Sequence, residues 1–481
     1  MLAALSGAFL LVLSFPPFDL GWAAWAALVP WLVSLERSTP RQALLRSYGA
    51  GLFFFSSTVG WVSFVTVPGM LFLIAYLSLY FAAWGWFAQR MLSRKASGFR
   101  LGISLAAAWV ALEFIRSFLL SGFGWNLLAH TQWNWIRLIQ VADVTGVWGV
   151  SFLVVLLNAA LFDAWRQKKI ALSCLCLAAA LVYGTVCLRQ ADGAAQPAQA
   201  LKVAVVQGNI PQPQKWDAAF QETIWKRYEQ LTAQAAAVKP DLIVWPETAV
   251  PGFLQEIAVR RRLEQILLSA KTPVLAGVPT ENLEDGSLYN SAILFGADSK
   301  AIEGYDKLHL VPFGEFVPLK PLFGWLNNVV PIGDFSAGKE FTVFQPDFPV
   351  PPFAALICFE DLFPEMSRQF VRAGARWLLV ITNDGWFGRS AASLQHLQAS
   401  VFRAVEDRVW IGRAANTGWS GFVDPYGRRL PRPYQVLRFK PGVAIADLPI
   451  RPIRSFYVRW GDWLPILCFG LAAWAIIKPS D

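Results

Sequence analysis

A cysteine that follows a short apolar run is the first residue in this chain that could do chemistry. Cys358 comes directly after Ala354–Ile357, a stretch typical of a buried strand, and it is followed by Glu360 and Asp361. A nucleophile is commonly presented where a chain turns out of a sheet, and the thiolate is the reactive form of cysteine. The alternative is a small buried apolar residue, as most free cysteines are.

Two other segments place charged residues at turns. Asp241–Glu247 is an apolar run ending in Trp-Pro-Glu, and a carboxylate at a strand end can act as a general base. Tyr305–Glu315 puts Lys307 and Glu315 on either side of an apolar turn, where a lysine could stabilise an oxyanion. Each segment also has a plainer interpretation, a solvated turn glutamate or a surface lysine.

The elements that must position these residues belong to two kinds of sequence. Of 481 residues, 55% are hydrophobic and only 16% are charged, against about 25% charged in soluble domains. Apolar blocks fill residues 1–190, whereas residues 201–459 have the turns, alternating strands and charged helices of a globular domain. The sequence predicts a polytopic α-helical membrane bundle and a separate globular domain.

About eight membrane spans are expected, because a helix needs about 20 apolar residues to cross a bilayer. About seven of them lie in residues 1–190, residues 191–200 form a small-residue linker, and residues 460–481 hold the last span and a cytoplasmic tail. The expected spans are Leu2–Phe15, Gly21–Leu35, Gly49–Val67, Met70–Ala88, Leu101–Leu120, Val144–Trp165, Ile170–Leu188 and Trp463–Ile477.

Basic residues in alternate loops predict the orientation of these spans. Three loops are basic: those between the second and third, the fourth and fifth, and the sixth and seventh expected spans. Lysine and arginine are retained on the cytoplasmic side, so these loops should be cytoplasmic and residues 201–459 extracytoplasmic. The same loops account for much of the net charge of +9, and no motif points to nucleic acid. The loop residues are Arg37, Arg41, Arg46, Arg90, Arg94, Lys95, Arg100, Arg166, Lys168 and Lys169.

The distribution of the five cysteines separates Cys358 from the others. Cys174, Cys176, Cys187 and Cys468 fall in expected spans, so Cys358 has no disulfide partner in its own domain. An unpaired thiol in a compartment that permits disulfides is a liability unless it is buried or used. This distribution raises the case for a functional Cys358 without deciding it.

A charged pair lies inside the fifth expected span. Glu113 and Arg116 are three residues apart and therefore share one face of a helix. Charges within a span are costly and usually face the bundle interior or a cavity. The pair either locks helices together or lines a substrate path, and both interpretations stay open.

Glu247, Lys307 and Cys358, in this order and with these flanking residues, resemble the nitrilase superfamily, whose members use a Glu-Lys-Cys triad. The resemblance covers about Leu201–Pro449, with Leu201–Asn209 as the first strand. It implies an α/β domain of α-β-β-α sandwich type. It also implies that Glu247 is the general base and acid, that Lys307 stabilises the oxyanion and that Cys358 is the nucleophile.

A closer resemblance is to one branch, the bacterial apolipoprotein N-acyltransferases. It rests on the order of spans and domain and on Trp125-Asn126, Trp245–Glu247, Tyr305–Glu315 and Cys358–Glu360. It implies transfer of a fatty acyl chain from a phospholipid to the α-amine of the diacylglyceryl-cysteine of apolipoproteins, by a ping-pong mechanism through a Cys358 thioester. It further implies a multi-pass protein of the bacterial inner membrane with a periplasmic catalytic domain.

Further residues are expected to support this chemistry. Glu315 and Glu360 would position and tune the lysine and the cysteine. Phe359 stands where the family often has tyrosine, so its ring can pack but the hydroxyl is missing. Asn290 and Trp216 are weaker site candidates, with a turn amide and a core aromatic residue as their alternatives.

Lipid access is expected from an unusually apolar loop at residues 321–332. Its side chains would enter the outer leaflet, or else pack onto the domain in the ordinary way. The lipid-access candidates are Phe323, Trp325, Leu326 and Val329, with Trp386 and Phe387 as a second contact. No metal or other cofactor is expected, because the three histidines have no ligand spacing.

Two other functions are compatible with these features. A membrane-tethered amidase of nitrilase type would use the same triad and pass its acyl group to water. A non-enzymatic membrane scaffold could keep a degenerate nitrilase fold, although the intact Glu247, Lys307 and Cys358 argue against it. An amidase differs from an acyltransferase in its acyl acceptor, which is water for the amidase. A scaffold differs from both enzymes because it would form no covalent acyl adduct on Cys358.

Overall fold

The computed structural model of the chain describes residues 1–167, 171–193, 200–312, 314–316 and 334–477. Internal contacts divide the chain into two units. The first consists of Met1–Ala194, Leu394–Glu406 and Ser455–Asp481, and the second of Ala195–Ser393 and Asp407–Arg454. The segment Leu394–Glu406 therefore groups with the N-terminal helices although it lies within the sequence of the globular domain.

The described α-helices are numbered in chain order. They are α1 (Leu2–Ser14), α2 (Ala24–Glu36), α3 (Pro40–Val59), α4 (Val67–Ser93), α5 (Gly98–Arg116), α6 (Ile136–Ile139), α7 (Ala142–Thr145), α8 (Val147–Gln167), α9 (Ala171–Gly193), α10 (Gln221–Ala236), α11 (Ile257–Ala270), α12 (Pro364–Arg372), α13 (Ala392–Asp407), α14 (Phe456–Trp460) and α15 (Trp463–Ile477). Local signals explain several starts: Thr39 and Thr66 cap α3 and α4, and each cap is followed within two residues by proline.

Four helices in the described part, α4, α5, α8 and α9, are long and apolar enough to cross a membrane. The helices α1 and α15 are apolar but have only 13 and 15 residues. Helix α3 has 20 residues, but Arg41 and Arg46 in its first two turns lower its mean hydropathy, and it is not among these four helices. The prediction of a helical bundle with membrane-spanning helices is confirmed. The expected number of about eight spans is not confirmed and stays a prediction.

Three helix ends that border the predicted cytoplasmic loops meet at one end of the first unit. Arg166 near the end of α8 forms an ion pair of 2.8 Å with Glu36 at the end of α2. Arg94, which follows α4, donates hydrogen bonds of 3.0 and 2.7 Å to the carbonyls of Ala475 and Ile476 at the end of α15. Gln89 of α4 donates a hydrogen bond of 3.0 Å to the carbonyl of Ser38, which follows α2, so the two pairs lie together and the C-terminal helix ends on the same side as these basic loops.

The second unit is built on two β-sheets. The strands are β1 (Leu201–Gln207), β2 (Leu242–Val244), β3 (Val274–Glu281), β4 (Leu288–Phe295), β5 (Ala301–Asp306), β6 (Phe353–Ile357), β7 (Trp377–Thr382), β8 (Trp410–Ala415), β9 (Ser420–Val423), β10 (Gln435–Val436) and β11 (Gly442–Leu448). One sheet has the order β11-β1-β2-β3-β4-β5 and the other the order β10-β9-β8-β7-β6. The centre of each sheet is parallel, β1-β2-β3 in the first and β6-β7-β8 in the second.

These sheets and their helices form the expected α-β-β-α sandwich. Strand β1 packs across the sandwich against β8, while α10 and α11 cover the outer face of the first sheet and α12 packs against β6. Parallel strands buried on both faces are almost entirely apolar, as in Phe353–Ile357 and Trp377–Thr382. Because parallel strands share one carboxyl edge, the turns that follow them gather polar residues there.

Candidate active site

Cys358 lies at the end of β6, as the sequence predicts. The strand runs parallel to β7, and the chain then turns into a short 3-10 helix, Cys358–Leu362. Cys358 has a φ of +55° and a side chain that is almost fully buried. A left-handed backbone at a non-glycine residue costs free energy and is concentrated at functional sites, so this turn presents the thiol at some energetic cost.

Glu360 ties the cysteine turn to the lysine segment. One carboxylate oxygen accepts hydrogen bonds of 2.8 and 3.1 Å from the backbone N–H groups of Leu308 and His309 and one of 2.8 Å from the hydroxyl of Tyr305. The other oxygen accepts a hydrogen bond of 2.7 Å from the N–H of Ile357. Glu360 therefore fixes the residues after Lys307 against the residue before Cys358.

Glu247 is held in a buried turn after β2. Its Oε1 accepts a hydrogen bond of 2.8 Å from the side-chain amide of Asn290, and its Oε2 accepts one of 2.7 Å from the backbone N–H of Asn383. The turn lies directly over Gly277 of β3, where an added Cβ would be 2.4 Å from the carbonyl oxygen of Pro246 and 2.7 Å from the Cα of Glu247. Only glycine leaves room for this close approach.

Lys307 follows β5 and is almost completely buried. Its ammonium donates hydrogen bonds of 2.9 and 2.8 Å to the two carboxylate oxygens of Glu315, and it lies 3.7 Å from Oε1 of Glu247. Burial alone would lower the pKa of this lysine, but Glu315, Glu247 and Cys358 outweigh burial and raise it above the usual value. These neighbours favour the ammonium form of Lys307, which is the form that oxyanion stabilisation requires.

The environment of Cys358 favours the protonated form of its thiol. Burial and the negative charge of Glu247 raise the pKa of Cys358 well above the usual value, while Lys307 and a hydrogen bond with Thr382 act in the opposite direction. A buried thiol of this kind needs a nearby carboxylate to take its proton. Glu247 is the carboxylate with the strongest effect on it.

A second buried ion cluster lies beneath the ends of β6 and β7. The guanidinium of Arg413 on β8 is 2.9 Å from Asp361 and 3.4 Å from Asp384, and all three side chains are fully buried. Asp361 lies in the 3-10 helix that begins at Cys358, and Asp384 follows β7. The arginine therefore joins two of the polar turns at the carboxyl edge of the second sheet.

The predicted supporting residues occupy different places. Asn290 donates to both Glu247 and Glu315, with hydrogen bonds of 2.8 and 2.9 Å, and so lies at the centre of the site. Phe359 is almost buried, and its ring is 5.1 Å from that of Phe363. Trp216, in contrast, is 49% exposed and is not a core aromatic residue.

The predicted lipid-access residues are described only in part. Trp386 is 41% exposed and Phe387 is half-buried, both in the short 3-10 helix Asp384–Phe387. The apolar loop lies outside the described residues, so its four candidates stay predictions: Phe323, Trp325, Leu326 and Val329. In the described part of the chain, no group of His, Cys, Asp and Glu side chains is arranged to hold a metal ion.

Sequence reasoning missed several residues that touch the centre. Asn383 directly follows β7, and its backbone N–H contacts Glu247. Lys215 is buried and donates a hydrogen bond of 2.9 Å to the carbonyl of Glu247, although its neighbour Trp216 was the residue singled out. Gly277 and Arg413 carried no local signal, because their role depends on strands that are distant in sequence.

A buried Glu-Lys-Cys centre on a two-sheet sandwich defines a carbon-nitrogen hydrolase fold, and the Carbon-nitrogen hydrolase family model matches residues 202–457. The model of the apolipoprotein N-acyltransferase N-terminal domain matches residues 7–160. The chain belongs to the apolipoprotein N-acyltransferase family, and it is accordingly an N-acyltransferase.

Curated relatives align along almost the whole chain. The apolipoprotein N-acyltransferases of Geobacter metallireducens and Methylococcus capsulatus are 39% and 34% identical to it, each over 98% of this chain and 94% of the relative. Among solved structures, a mutant amidase of the nitrilase superfamily from Nesterenkonia AN1 is similar at 20% identity. Its TM-score is 0.40, over 56% of this chain and 95% of the amidase.

Proposed function

We propose that this enzyme transfers a fatty acyl chain from a phospholipid to the N-terminal α-amine of the diacylglyceryl-cysteine of apolipoproteins. The transfer is ping-pong and passes through a thioester on Cys358. Membership of the family supports the overall reaction. The buried contact of Lys307 with Glu315 and Glu247, next to the Cys358 turn, is the observation that carries the mechanism.

The first half-reaction loads the enzyme. Glu247 takes the thiol proton of Cys358, and the thiolate attacks the ester carbonyl of the phospholipid. Lys307 stabilises the oxyanion that forms, an effect worth about 3–4 kcal/mol per donor in a buried site. The intermediate collapses by breaking the bond to the glycerol oxygen, which takes the proton from Glu247 and leaves as lysophospholipid. The acyl chain remains on sulfur.

The second half-reaction empties the enzyme. The neutral α-amine of the lipoprotein attacks the thioester carbonyl, and Glu247 accepts the proton that the nitrogen loses. The bond between carbon and sulfur then breaks, which gives an amide and returns Cys358 to its thiol form with the proton from Glu247. A thioester is more reactive towards an amine than an oxygen ester is, which is a reason for cysteine rather than serine at position 358.

We place the enzyme in the bacterial inner membrane with its second unit on the periplasmic side. The clustering of basic loops and the end of α15 at one end of the first unit supports a single cytoplasmic end. A membrane-impermeant maleimide should label an Asp285→Cys variant in intact spheroplasts and label a Ser97→Cys variant only after lysis. The reverse pattern would contradict this orientation.

Mass spectrometry of the purified enzyme tests the thioester directly. After incubation with phospholipid vesicles, the wild-type chain should gain one fatty acyl mass, and hydroxylamine should remove it. Cys358→Ala should gain nothing, and Cys358→Ser should form at most an oxygen ester that is stable to hydroxylamine at neutral pH. Absence of any acyl mass on the wild-type chain would overturn the mechanism.

The acceptor is tested separately with the loaded enzyme. A synthetic diacylglyceryl-cysteine peptide should discharge the thioester and appear as a triacylated product. The same peptide with an acetylated α-amine is the matched control and should not react. Discharge into water at the same rate with and without peptide would instead support the amidase alternative.

A further inference from the structure

A second buried lysine lies beside the catalytic glutamate. Lys215 is only 4% exposed, and its ammonium donates a hydrogen bond of 2.9 Å to the backbone carbonyl of Glu247. This is its one hydrogen bond to the described residues, and none of their carboxylates pairs with it. An ammonium has three donors, so two of its protons have no acceptor there.

The segment that carries Lys215 is fixed against Glu247 at a second point. The side chain of Gln212 accepts a hydrogen bond of 2.7 Å from the side-chain amide of Asn383. The backbone N–H of Asn383 donates in turn to the Glu247 carboxylate at 2.7 Å. The loop is therefore anchored on both the backbone and the side chain of the general base, which keeps Lys215 in place.

A buried cation without an anionic partner is costly, so its presence needs an explanation. The buried charge of Lys307 is already balanced, because its ammonium donates to both carboxylate oxygens of Glu315 at 2.9 and 2.8 Å. The negative charges that act on Lys215 are those of Glu247 and Cys358. These are the two groups between which the negative charge moves during the reaction.

We propose that Lys215 is the counter-ion of this mobile negative charge and a second cation of the catalytic centre. It balances Glu247 in the resting enzyme, the thiolate after proton transfer, and the oxyanion during attack on the ester. Lys307, paired with Glu315, supplies a fixed donor, while Lys215 compensates the charge that moves. The inference rests on the proposed Cys358 acylation and adds a residue that the Glu-Lys-Cys triad does not include.

The local charges make the role of Lys215 sensitive to pH. Burial lowers the pKa of Lys215 to about 8, although Glu247 and Cys358 act to raise it. The other charged groups that act on Cys358 are Lys307 and Asp384. Loss of the Lys215 proton above about pH 8 should therefore slow acylation and raise the pKa of the thiol.

Two substitutions separate a charge role from a structural one. Lys215→Met removes the charge and the donor at similar length. Lys215→Gln removes the charge but keeps an N–H donor for the Glu247 carbonyl. We expect both to slow acyl loading of Cys358 from dioleoylphosphatidylethanolamine vesicles by about 100-fold. The exposed Lys226→Met is the matched control and should load like the wild type.

A second readout does not depend on lipid. The rate of Cys358 alkylation by iodoacetamide, followed against pH in the detergent-solubilised full chain, reports the thiol pKa. Both variants should shift the alkylation profile to higher pH, and their loading rates should lack the decline above about pH 8 that the wild type shows. Unfolded protein would instead alkylate at all five cysteines with an ordinary thiol profile.

The outcomes distinguish this inference from the proposed function. If Lys215→Gln loads at the wild-type rate with an unchanged alkylation profile, Lys215 has only a structural role and the inference is overturned. If Lys215→Met is unfolded, Lys215→Gln and the wild-type decline above about pH 8 still decide the question. If the wild-type chain never gains an acyl mass, it is the proposed function that fails.

Discussion

Lys307 is held by Glu315 more closely than by Glu247. Its ammonium is 2.8 Å from Oε2 of Glu315 but 3.7 Å from Oε1 of Glu247. Glu315 therefore neutralises the lysine, while the oxygens of Glu247 accept hydrogen bonds from Asn290 and Asn383. This division of partners places the closer ion pair of Lys307 on Glu315, while neutral donors at 2.8 and 2.7 Å hold the two oxygens of Glu247.

Glu315→Gln should remove this division. Without the Glu315 charge, Lys307 is drawn to Glu247, because these two groups are already within ion-pair distance. The Glu247 carboxylate would then hold the Lys307 ammonium instead of accepting the thiol proton, and acyl loading of Cys358 should fall by about 100-fold with the fold intact. The measurement is the loading rate by mass spectrometry. Glu340→Gln, an exposed glutamate, is the control, and equal rates in both variants would contradict the assigned role.

Gly277→Ala tests whether the close approach of β3 positions the base. The new Cβ would lie 2.7 Å from the Cα of Glu247, so the turn that carries Glu247 must move. We expect a cost of about 1–3 kcal/mol in unfolding free energy and at least a tenfold loss of loading rate. Gly304→Ala on β5 is the matched control, because its Cβ would meet nothing closer than 3.9 Å. Similar behaviour of the two variants would show that the contact is unimportant.

Glu360 should make stability depend on pH. Burial raises its pKa from 4.5 to about 7, against the opposing hydrogen bonds from Ile357, His309 and Tyr305. The folded state then binds more protons than the unfolded state in this range, so stability should fall by roughly 3 kcal/mol as pH rises from about 4.5 to about 7. Thermal unfolding midpoints across this range measure the effect.

Two variants assign that pH dependence to Glu360. Glu360→Gln has no titrating group and should lose this part of the slope. Tyr305→Phe removes one donor to the carboxylate, so the pKa of Glu360 should rise and the decline should extend to higher pH. A slope that is identical in the wild type and both variants would assign the effect to other residues.

Trp386→Ser tests the predicted lipid contact in the described part of the chain. Trp386 is 41% exposed and lies three residues after Asn383, whose backbone N–H contacts Glu247. Loss of a large apolar contact should reduce loading from bilayer vesicles by about tenfold and leave loading from a short-chain, water-soluble ester unchanged. Tyr434→Ser, at the same 41% exposure, is the control. If Trp386→Ser lost the same fraction of its loading rate with the vesicles and with the water-soluble ester, Trp386 would act on the reaction itself rather than on lipid access.

The sequence predicted where the three residues of the proposed triad lie relative to the strands, because each member ends a recognisable segment. Cys358 and Lys307 directly follow β6 and β5, and Glu247 follows β2 by three residues. Such motifs are local, so they can be recognised in the sequence without knowledge of the fold. The number of spans was less predictable, since α1, α2 and α15 have only 13, 13 and 15 residues and apolar composition alone does not set a helix length.

The amino-acid sequence by itself determined the chemistry available to this protein, its division into apolar and globular parts, and the sidedness expected from its basic loops. These properties depend on residue type and on short-range pattern. Only the tertiary structure decided that Glu315 rather than Glu247 holds Lys307, that Asn290 joins the two carboxylates, and that Lys215 is buried while Trp216 is exposed. Pairing and burial depend on distances between strands that are far apart along the chain, and no local pattern encodes those distances.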